Sequence, residues 1–219
     1  VPADVVFATS TPLTIAVPGA YAARRQNVPM VFEVRDLWPE VPIAMGALQN
    51  PVLIRLAYFL ERFAIKNSVA YIALFDRARA SLEEKGVDAR AIDVIPNGSD
   101  LALFSNGRRD RVRNQLNCHS HTILLVYAGT FGRVNGLDYI LDLAERLKNN
   151  KKFVFLMIGE GSEKEKIISG ARDRDLLGNN IFIKDGVPKS EIVDYLAAAD
   201  IVLSTVMPLK ILEADSANK

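Results

Sequence analysis

Short apolar runs at residues 5–8, 30–34, 69–74 and 92–95 alternate with helix-length stretches at 13–25, 51–67 and 77–85, and this alternation constrains the fold more than any other feature. Strands separated by about ten or more residues of helical period are joined by right-handed crossovers, which lay them parallel. After Asn97-Gly98 comes a polar, less regular segment with a short helix expected over 108–116. The alternation then resumes, with strands at 122–128, 153–158, 181–184 and 201–204 and helices at 137–147, 163–173 and 190–199. Two such series predict an α/β protein of two doubly wound, Rossmann-like parallel-sheet domains with helices on both faces of each sheet. The expected division is residues 1–104, a connecting segment 105–120, and residues 121–219. Ligands of such sheets bind beyond the strand carboxyl ends, so a cleft between the domains is the expected place for a site.

Composition narrows the partners. With 27 Lys and Arg against 26 Asp and Glu, the formal charge is +1 and the two signs are interspersed, which argues against nucleic acid. The lone cysteine, Cys118, excludes an internal disulfide and fits a reducing compartment, with the cytoplasm as default. No apolar run reaches the roughly 18 residues that span a bilayer, and Val1-Pro2-Ala3-Asp4 is not a signal peptide. The chain starts without Met just ahead of a strand and stops at Lys219 with no closing helix, so a fragment cut at both ends is expected, with unpaired sheet edges and exposed apolar faces.

The segment TILLVYAGTFGRVNG, from Thr122 to Gly136, is an apolar strand breaking into Gly129, Gly132 and Gly136 around Arg133, with a helical pattern behind it. Glycines let backbone N–H groups approach an anion, a helix N-terminus favours negative charge, and a guanidinium adds a charge-assisted contact. The spacing is neither GxGxxG nor GxxxxGK[ST], so a phosphate cradle and a plain tight turn both remain open. Gly159-Glu160-Gly161-Ser162 follows the next strand, where Ser162 and Glu165 form an S-x-x-E pattern expected to cap a helix. Both loops leave parallel strands at the same edge, so they line one pocket if the strands are neighbours.

VFEVRDLWPE, residues 31–40, gathers Arg35, Asp36, Trp38 and Glu40 at a strand end. Two readings stand: an Arg35–Asp36 or Arg35–Glu40 ion pair with Trp38 covering the core, or an acceptor edge where a carboxylate orients a hydroxyl nucleophile. In the helix over 51–67, Leu53, Ile54, Ala57, Leu60 and Ala64 form a stripe expected in the core, while Arg55, Tyr58, Phe59, Arg62 and Lys66 crowd other faces and are open to an anionic bilayer surface. Pro18 is expected to bend the first helix or mark its start. Asp173-Arg174-Asp175 has D-x-D spacing but sits on the polar end of an amphipathic helix, and His119 and His121 beside Cys118 lack a carboxylate, so no metal is expected.

The ordered series ATSTPLT (8–14), VFEVRDLWPE, IPNGSD (95–100), YAGTFGRVNG (127–136), IGEG (158–161), VPKSEIVDYLAAAD (187–200) and SANK (216–219) resembles glycosyltransferase family 4 along essentially the whole chain, in the branch that builds bacterial surface polysaccharides such as lipopolysaccharide. The resemblance implies a GT-B architecture in which an N-terminal acceptor domain and a C-terminal nucleotide-sugar domain flank a cleft. It also implies retention of anomeric configuration, no metal, no cofactor beyond the nucleotide-diphosphate sugar itself, and a glycan or lipid-linked acceptor met at the inner face of a membrane.

Carried over by position, Gly129, Thr130 and Arg133 border the donor diphosphate, Gly159, Glu160 and Gly161 the nucleotide, and Asp185 to Val187 the base. The family's pair of sugar- and ribose-gripping carboxylates falls near Glu213 to Lys219. Ser10, Arg35, Asp36 and Glu40 belong to the acceptor side, with Asp36 and Arg133 as the catalytic candidates. Many members carry Arg and Lys where this chain has Thr130 and Asn135, so the electrostatic task is expected to pass to Arg133. The frequent histidine of the strand-end motif is Arg35 here, so no general-base histidine is assigned. A nucleotide-sugar 2-epimerase and an inactive sugar-nucleotide-binding module are the alternatives.

Overall fold

Strands β1 (Val6–Thr9), β2 (Met30–Val34), β3 (Ala70–Ala73) and β4 (Ile92–Val94) form a parallel sheet in that spatial order. Helices α1 (Ala16–Gln26), α3 (Pro51–Asn67) and α4 (Asp76–Glu84) make the crossovers, with the short α2 (Glu40–Ala44) ahead of α3. The computed structural model describes residues 2–10 and 12–212. The chain divides into two units, one running to Gly98 and rejoined by the segment from Pro208, the other Ser99–Met207.

Local chemistry accounts for these boundaries. Asn50 accepts hydrogen bonds from the Val52 and Leu53 N–H groups, and Pro51 occupies the first helical position, so α3 starts where the capped, pre-set backbone allows. Pro18 falls in the first turn of α1, after a 3-10 turn at Leu13–Ile15, where its missing N–H is not needed. The expected core stripe of α3 is corrected at one position. Leu53 is exposed and the buried positions are Ala57, Glu61 and Ala64.

Each crossover of this first sheet moves in the same direction, so right-handedness puts α1, α3 and α4 on one face. A single buried cluster results, joining Ala16, Ala20, Ala64, Ala78 and Leu82 to the strand residues Met30, Phe32 and Tyr71. Helices were expected on both faces; among the described residues of this unit they cover one, and Phe7 on the other is 55% exposed.

The second unit opens with α5 (Leu101–Phe104) and α6 (Arg109–Gln115), then runs β5 (Ile123–Ala128), α7 (Asp138–Arg146), β6 (Phe153–Ile158), α8 (Lys164–Asp173), β7 (Ile181–Lys184), α9 (Lys189–Ala198) and β8 (Ile201–Val202). Its parallel sheet has the order β7-β6-β5-β8. The chain builds outward from β5 to β7 and then returns to the other side of β5, so α7 and α8 cover one face and α9 the opposite one. Two buried clusters correspond: Ile140, Leu141, Ile167 and Ala171 on one side, Val112, Tyr195 and Ala198 on the other. The reversal between β5 and β8 is a topological switch point, the position at which doubly wound sheets open a crevice at their carboxyl edge.

Asp200 fastens this unit together at the start of β8. Its carboxylate accepts hydrogen bonds from the Leu124 N–H at 2.8 Å, Arg109 at 2.5 Å and Arg113 at 2.9 Å. Burial alone would raise its pKa, but these donors more than offset it and hold the group down to about 2. The folded value lies below the ordinary 3.8, so the stabilisation is complete above about pH 4 and is lost as pH falls through about 2. Asp200→Asn is therefore expected to lower the melting temperature at neutral pH and to flatten the acid limb between pH 4 and 2. Thermal melts of both proteins check this, and parallel pH profiles would contradict it.

Candidate functional site

The carboxyl ends of β5 and β6 cross so closely that no side chain fits between them. The Phe131 N–H donates to the Glu160 carbonyl at 2.7 Å, and the Glu163 N–H donates back to the Phe131 carbonyl at 2.9 Å. A Cβ on Gly159 would stand 1.8 Å from the Gly129 carbonyl oxygen, and one on Gly161 would stand 2.4 Å from that of Phe131. Both glycines are thus required by the neighbouring loop. The Phe131 ring is fully buried and meets Tyr127 edge-on, with centroids 6.0 Å apart.

This contact also corrects the expected cap. Helix α8 begins at Lys164 with Glu163 ahead of it and no side-chain cap, so Ser162 and Glu165 do not form the box. Backbone carbonyls take the first N–H groups here: that of Glu163 donates to Phe131 and that of Lys164 to Gly161.

The loop after β5 is fastened on its other side as well. The Tyr127 hydroxyl and the Asn135 amide both donate to the Thr130 carbonyl, at 2.8 and 2.9 Å. Burial pushes the Tyr127 phenol up to about 12, so it stays a neutral donor. Beyond β8, Thr205 Oγ1 donates to the Asn135 carbonyl at 2.7 Å and the Met207 N–H to that of Val134 at 2.8 Å, bridging the switch point. Gly136 turns the chain into α7 with φ +55°, a left-handed conformation suited to glycine. Among the described residues, the N–H groups of Thr130 and Gly132 and the exposed Arg133 guanidinium have no hydrogen-bonding partner.

Beside this loop, Lys164 joins Glu160 at 2.8 Å and Asp185 at 2.5 Å, and the Gly186 N–H donates to Glu160 at 3.0 Å. The Lys164 ammonium, then the Gly186 N–H, hold the Glu160 carboxyl below its usual range, and Lys164 does the same for Asp185. The ends of β5, β6 and β7 therefore bring Gly129, Thr130, Arg133, Gly159, Glu160, Gly161 and Asp185 to one edge, with Val187 following half-buried. Lys164 and Phe131 were missed. A lysine inside an S-x-x-E pattern carries no signal of its own, and one apolar residue in a glycine loop gives no periodic signal.

At the first sheet, Ser10 is buried and its hydroxyl accepts from the Arg35 N–H at 2.9 Å, stitching the ends of β1 and β2. Leu37 turns into the core, leaving Arg35 and Asp36 exposed. Glu40 does not pair with Arg35: its carboxylate meets Lys85 at 2.7 Å, and Lys85 also binds Glu61 and, at 3.0 Å, the Ser81 hydroxyl. Ser10, Asp36, Trp38, Glu61, Ser81 and Lys85 line a cavity of about 20 Å³, room for roughly one water molecule. Burial raises the Glu61 pKa, whereas Lys85, which burial would lower, is raised by its hydrogen bonds to Glu40 and Glu61. Glu61 and Lys85 were also missed, because a charge in a helical pattern reads as solvated until the fold turns it inward. Elsewhere, Arg174 pairs with Asp142 and Asp175 with Lys148, and Glu213 and Lys219 lie outside the described residues.

Known proteins share this fold. Residues 1–98 match the family described as Glycosyl transferase 4-like domain, and residues 108–219 match Glycosyl transferases group 1. The chain belongs to the glycosyl transferases group 1 family. Relatives of this glycosyltransferase chain include the putative colanic acid biosynthesis glycosyl transferase WcaI of Escherichia coli, 25% identical over 78% of the chain and 44% of WcaI. The probable glycosyltransferase WbjE of Pseudomonas aeruginosa is 23% identical over 93% of the chain and 50% of its own length. Among solved structures, Anabaena HepE in complex with UDP and glucose superposes with a TM-score of 0.71 at 19% identity, over 93% of the chain and 53% of HepE. WaaG, a glycosyltransferase involved in lipopolysaccharide biosynthesis, gives 0.62 at 15% identity, over 85% of the chain and 55% of WaaG. The fold is of the GT-B class, and the chain spans about half the length of these relatives.

Three substitutions test the geometry. Gly159→Ala drives a methyl into backbone and is expected to destabilise by about 3 kcal/mol or more, whereas Gly98→Ala, with open space around it, stays within about 0.5 kcal/mol. Lys85→Met strands two carboxylates and is expected to cost about 3 kcal/mol at neutral pH. Because burial raises Glu61 above 4.5, that loss should shrink as pH falls toward and below this value and protons neutralise the stranded group. Denaturant titrations at pH 7 and pH 4.5 read both effects, and a pH-independent loss would contradict the second.

Proposed function

We propose that the protein to which this chain belongs transfers a sugar from a nucleotide-diphosphate donor to a lipid-linked or glycan acceptor during synthesis of a cell-surface polysaccharide. The observation that carries this reading is a set of donors beside the switch point of the second sheet that have no partner among the described residues: the N–H groups of Thr130 and Gly132 and the Arg133 guanidinium. Rigid donors aimed at a leaving diphosphate neutralise charge as it develops. In this reading Gly129, Thr130 and Arg133 meet the diphosphate, and Gly159, Glu160, Gly161, Asp185 and Val187 border the nucleoside. Glu213 and Lys219 are assigned to the sugar and ribose. Family membership and the glycosyltransferase relatives support the reaction class.

The reaction proceeds with retention by front-face attack. The bond from the anomeric carbon to the phosphate oxygen breaks with its electron pair leaving on the diphosphate, and the acceptor oxygen bonds to the same face. The hydroxyl proton passes to the departing phosphate. Asp36 orients the acceptor hydroxyl, and Ser10 and Arg35 shape the strand end that carries it, while Glu40 acts through Lys85. Arg133 and the loop N–H groups carry the neutralisation that other transferases give to a metal. A lipid-linked acceptor would be met at a membrane surface on the cytoplasmic side.

The test is turnover of the full-length protein with UDP-, GDP- and dTDP-sugars, with and without acceptor. Transfer that Arg133→Ala lowers by roughly 10²- to 10³-fold is the expected result. Wild-type rates in that variant would remove Arg133 from the mechanism, and epimerisation without acceptor would replace the reaction class.

A further inference from the structure

The backbone pairing of β6 with β7 runs out at Gly159, whose N–H donates to the Lys184 carbonyl at 3.2 Å. Past that point side chains join the two loops. Lys164 reaches Glu160 at 2.8 Å and Asp185 at 2.5 Å, and the Gly186 N–H donates to the same Glu160 oxygen at 3.0 Å. Gly186 lies close enough that a Cβ on it would stand 3.3 Å from Glu160 Cγ. The place is a costly one for a cation. Lys164 is the first residue of α8, where the helix dipole disfavours positive charge, and its side chain is only 11% exposed. Lys166, two residues on, shows the ordinary arrangement, 60% exposed and paired with Asp138 and Glu163 at the surface. What makes the buried cation tolerable is that carboxylates from two different loops converge on it.

We infer that Lys164 is a positioning residue for the nucleoside of the donor: by clamping Glu160 to Asp185 it holds the 159–161 and 185–187 loops at the separation a nucleoside needs. The inference rests on the reading of this edge as a nucleotide-diphosphate site and assigns a role that the reading leaves open. Two features of the geometry carry it. One oxygen of each carboxylate is engaged by the ammonium, and the other has no donor among the described residues, so each loop keeps an acceptor for a nucleoside N–H or O–H. The ammonium also cancels one of the two negative charges that an anionic nucleotide would otherwise meet. Without it the carboxylates repel, and the loops lose the clamp beyond the end of their backbone pairing. The diphosphate itself falls to Thr130, Gly132 and Arg133, so the effect of Lys164 is confined to the nucleoside end. An ion pair that merely stabilised the fold would leave the nucleotide affinity of the folded protein unchanged.

The experiment is calorimetric titration of the full-length protein and its variants with UDP, GDP, dTDP and inorganic pyrophosphate, in salt high enough to screen long-range charge. Lys164→Met is expected to weaken the best-bound nucleoside diphosphate about tenfold or more, the order of effect of leaving one or two side chains to be immobilised on binding, while moving pyrophosphate by less than about threefold. Arg133→Ala should weaken both kinds of ligand. Lys164→Arg should recover most of the nucleotide affinity, and Lys166→Ala should bind like the wild type. Lys164→Gln, which keeps a donor but loses the charge, is expected to fall between and carries the same test should the Met variant unfold, as circular dichroism would show. Nucleotide bound by the folded Lys164 variants as tightly as by the wild type, or equal losses for nucleotide and pyrophosphate, would overturn the inference and leave the transfer reaction standing. A wild-type protein that binds none of the three nucleotides would remove both.

Discussion

The second unit depends on a backbone-to-backbone crossing at the ends of β5 and β6. Where the Gly129 carbonyl stands, a Cβ on Gly159 would already be, and the two hydrogen bonds between Phe131 and the β6 loop close the contact. Packing at that distance leaves the loop after β5 with little freedom. The N–H groups of Thr130 and Gly132 are left without an acceptor among the described residues. A preorganised row of donors costs nothing to arrange when charge develops, which is what separates a phosphate site from a flexible loop of the same composition.

Much of the architecture was legible because periodicity is local. β2 at Met30–Val34 and α3 at Pro51–Asn67 fall where the apolar pattern puts them, the latter because Asn50 and Pro51 mark its start. What the pattern missed depends on tertiary contact. The five-residue α2 is too short for periodicity to register, and Ser162 makes no cap where the helix starts one residue later and backbone carbonyls of Phe131 and Gly161 take the N–H groups of Glu163 and Lys164. Leu53, expected in the core, is exposed, while Glu61 is buried because Lys85, just after α4, supplies the partner that makes burial tolerable. The glycines at 159 and 161 were visible, but their reason was not: they clear space for a neighbouring loop, which spacing along the chain does not reveal.

The two sheets use their crossovers differently. In the first, all described connections progress one way, so α1, α3 and α4 form a single layer on one face of the sheet. In the second, the strand order reverses between β5 and β8, and the glycine loop, Glu160 and Asp185 lie along the carboxyl edge of the sheet. Departure from the family pattern at Thr130 and Asn135 then has a structural counterpart. Asn135 props the Thr130 carbonyl and Arg133 is left as the exposed cation of the loop, so one side chain fixes shape while another supplies charge.

The claim that the β5–β6 platform receives a nucleoside diphosphate is tested most directly by amide hydrogen exchange of the full-length protein with and without UDP, GDP and dTDP. The account predicts slowed exchange in peptides covering residues 129–136 and 159–164 with at least one of these nucleotides. Saturating nucleotide that leaves both segments unchanged while protecting another part of the protein would contradict it.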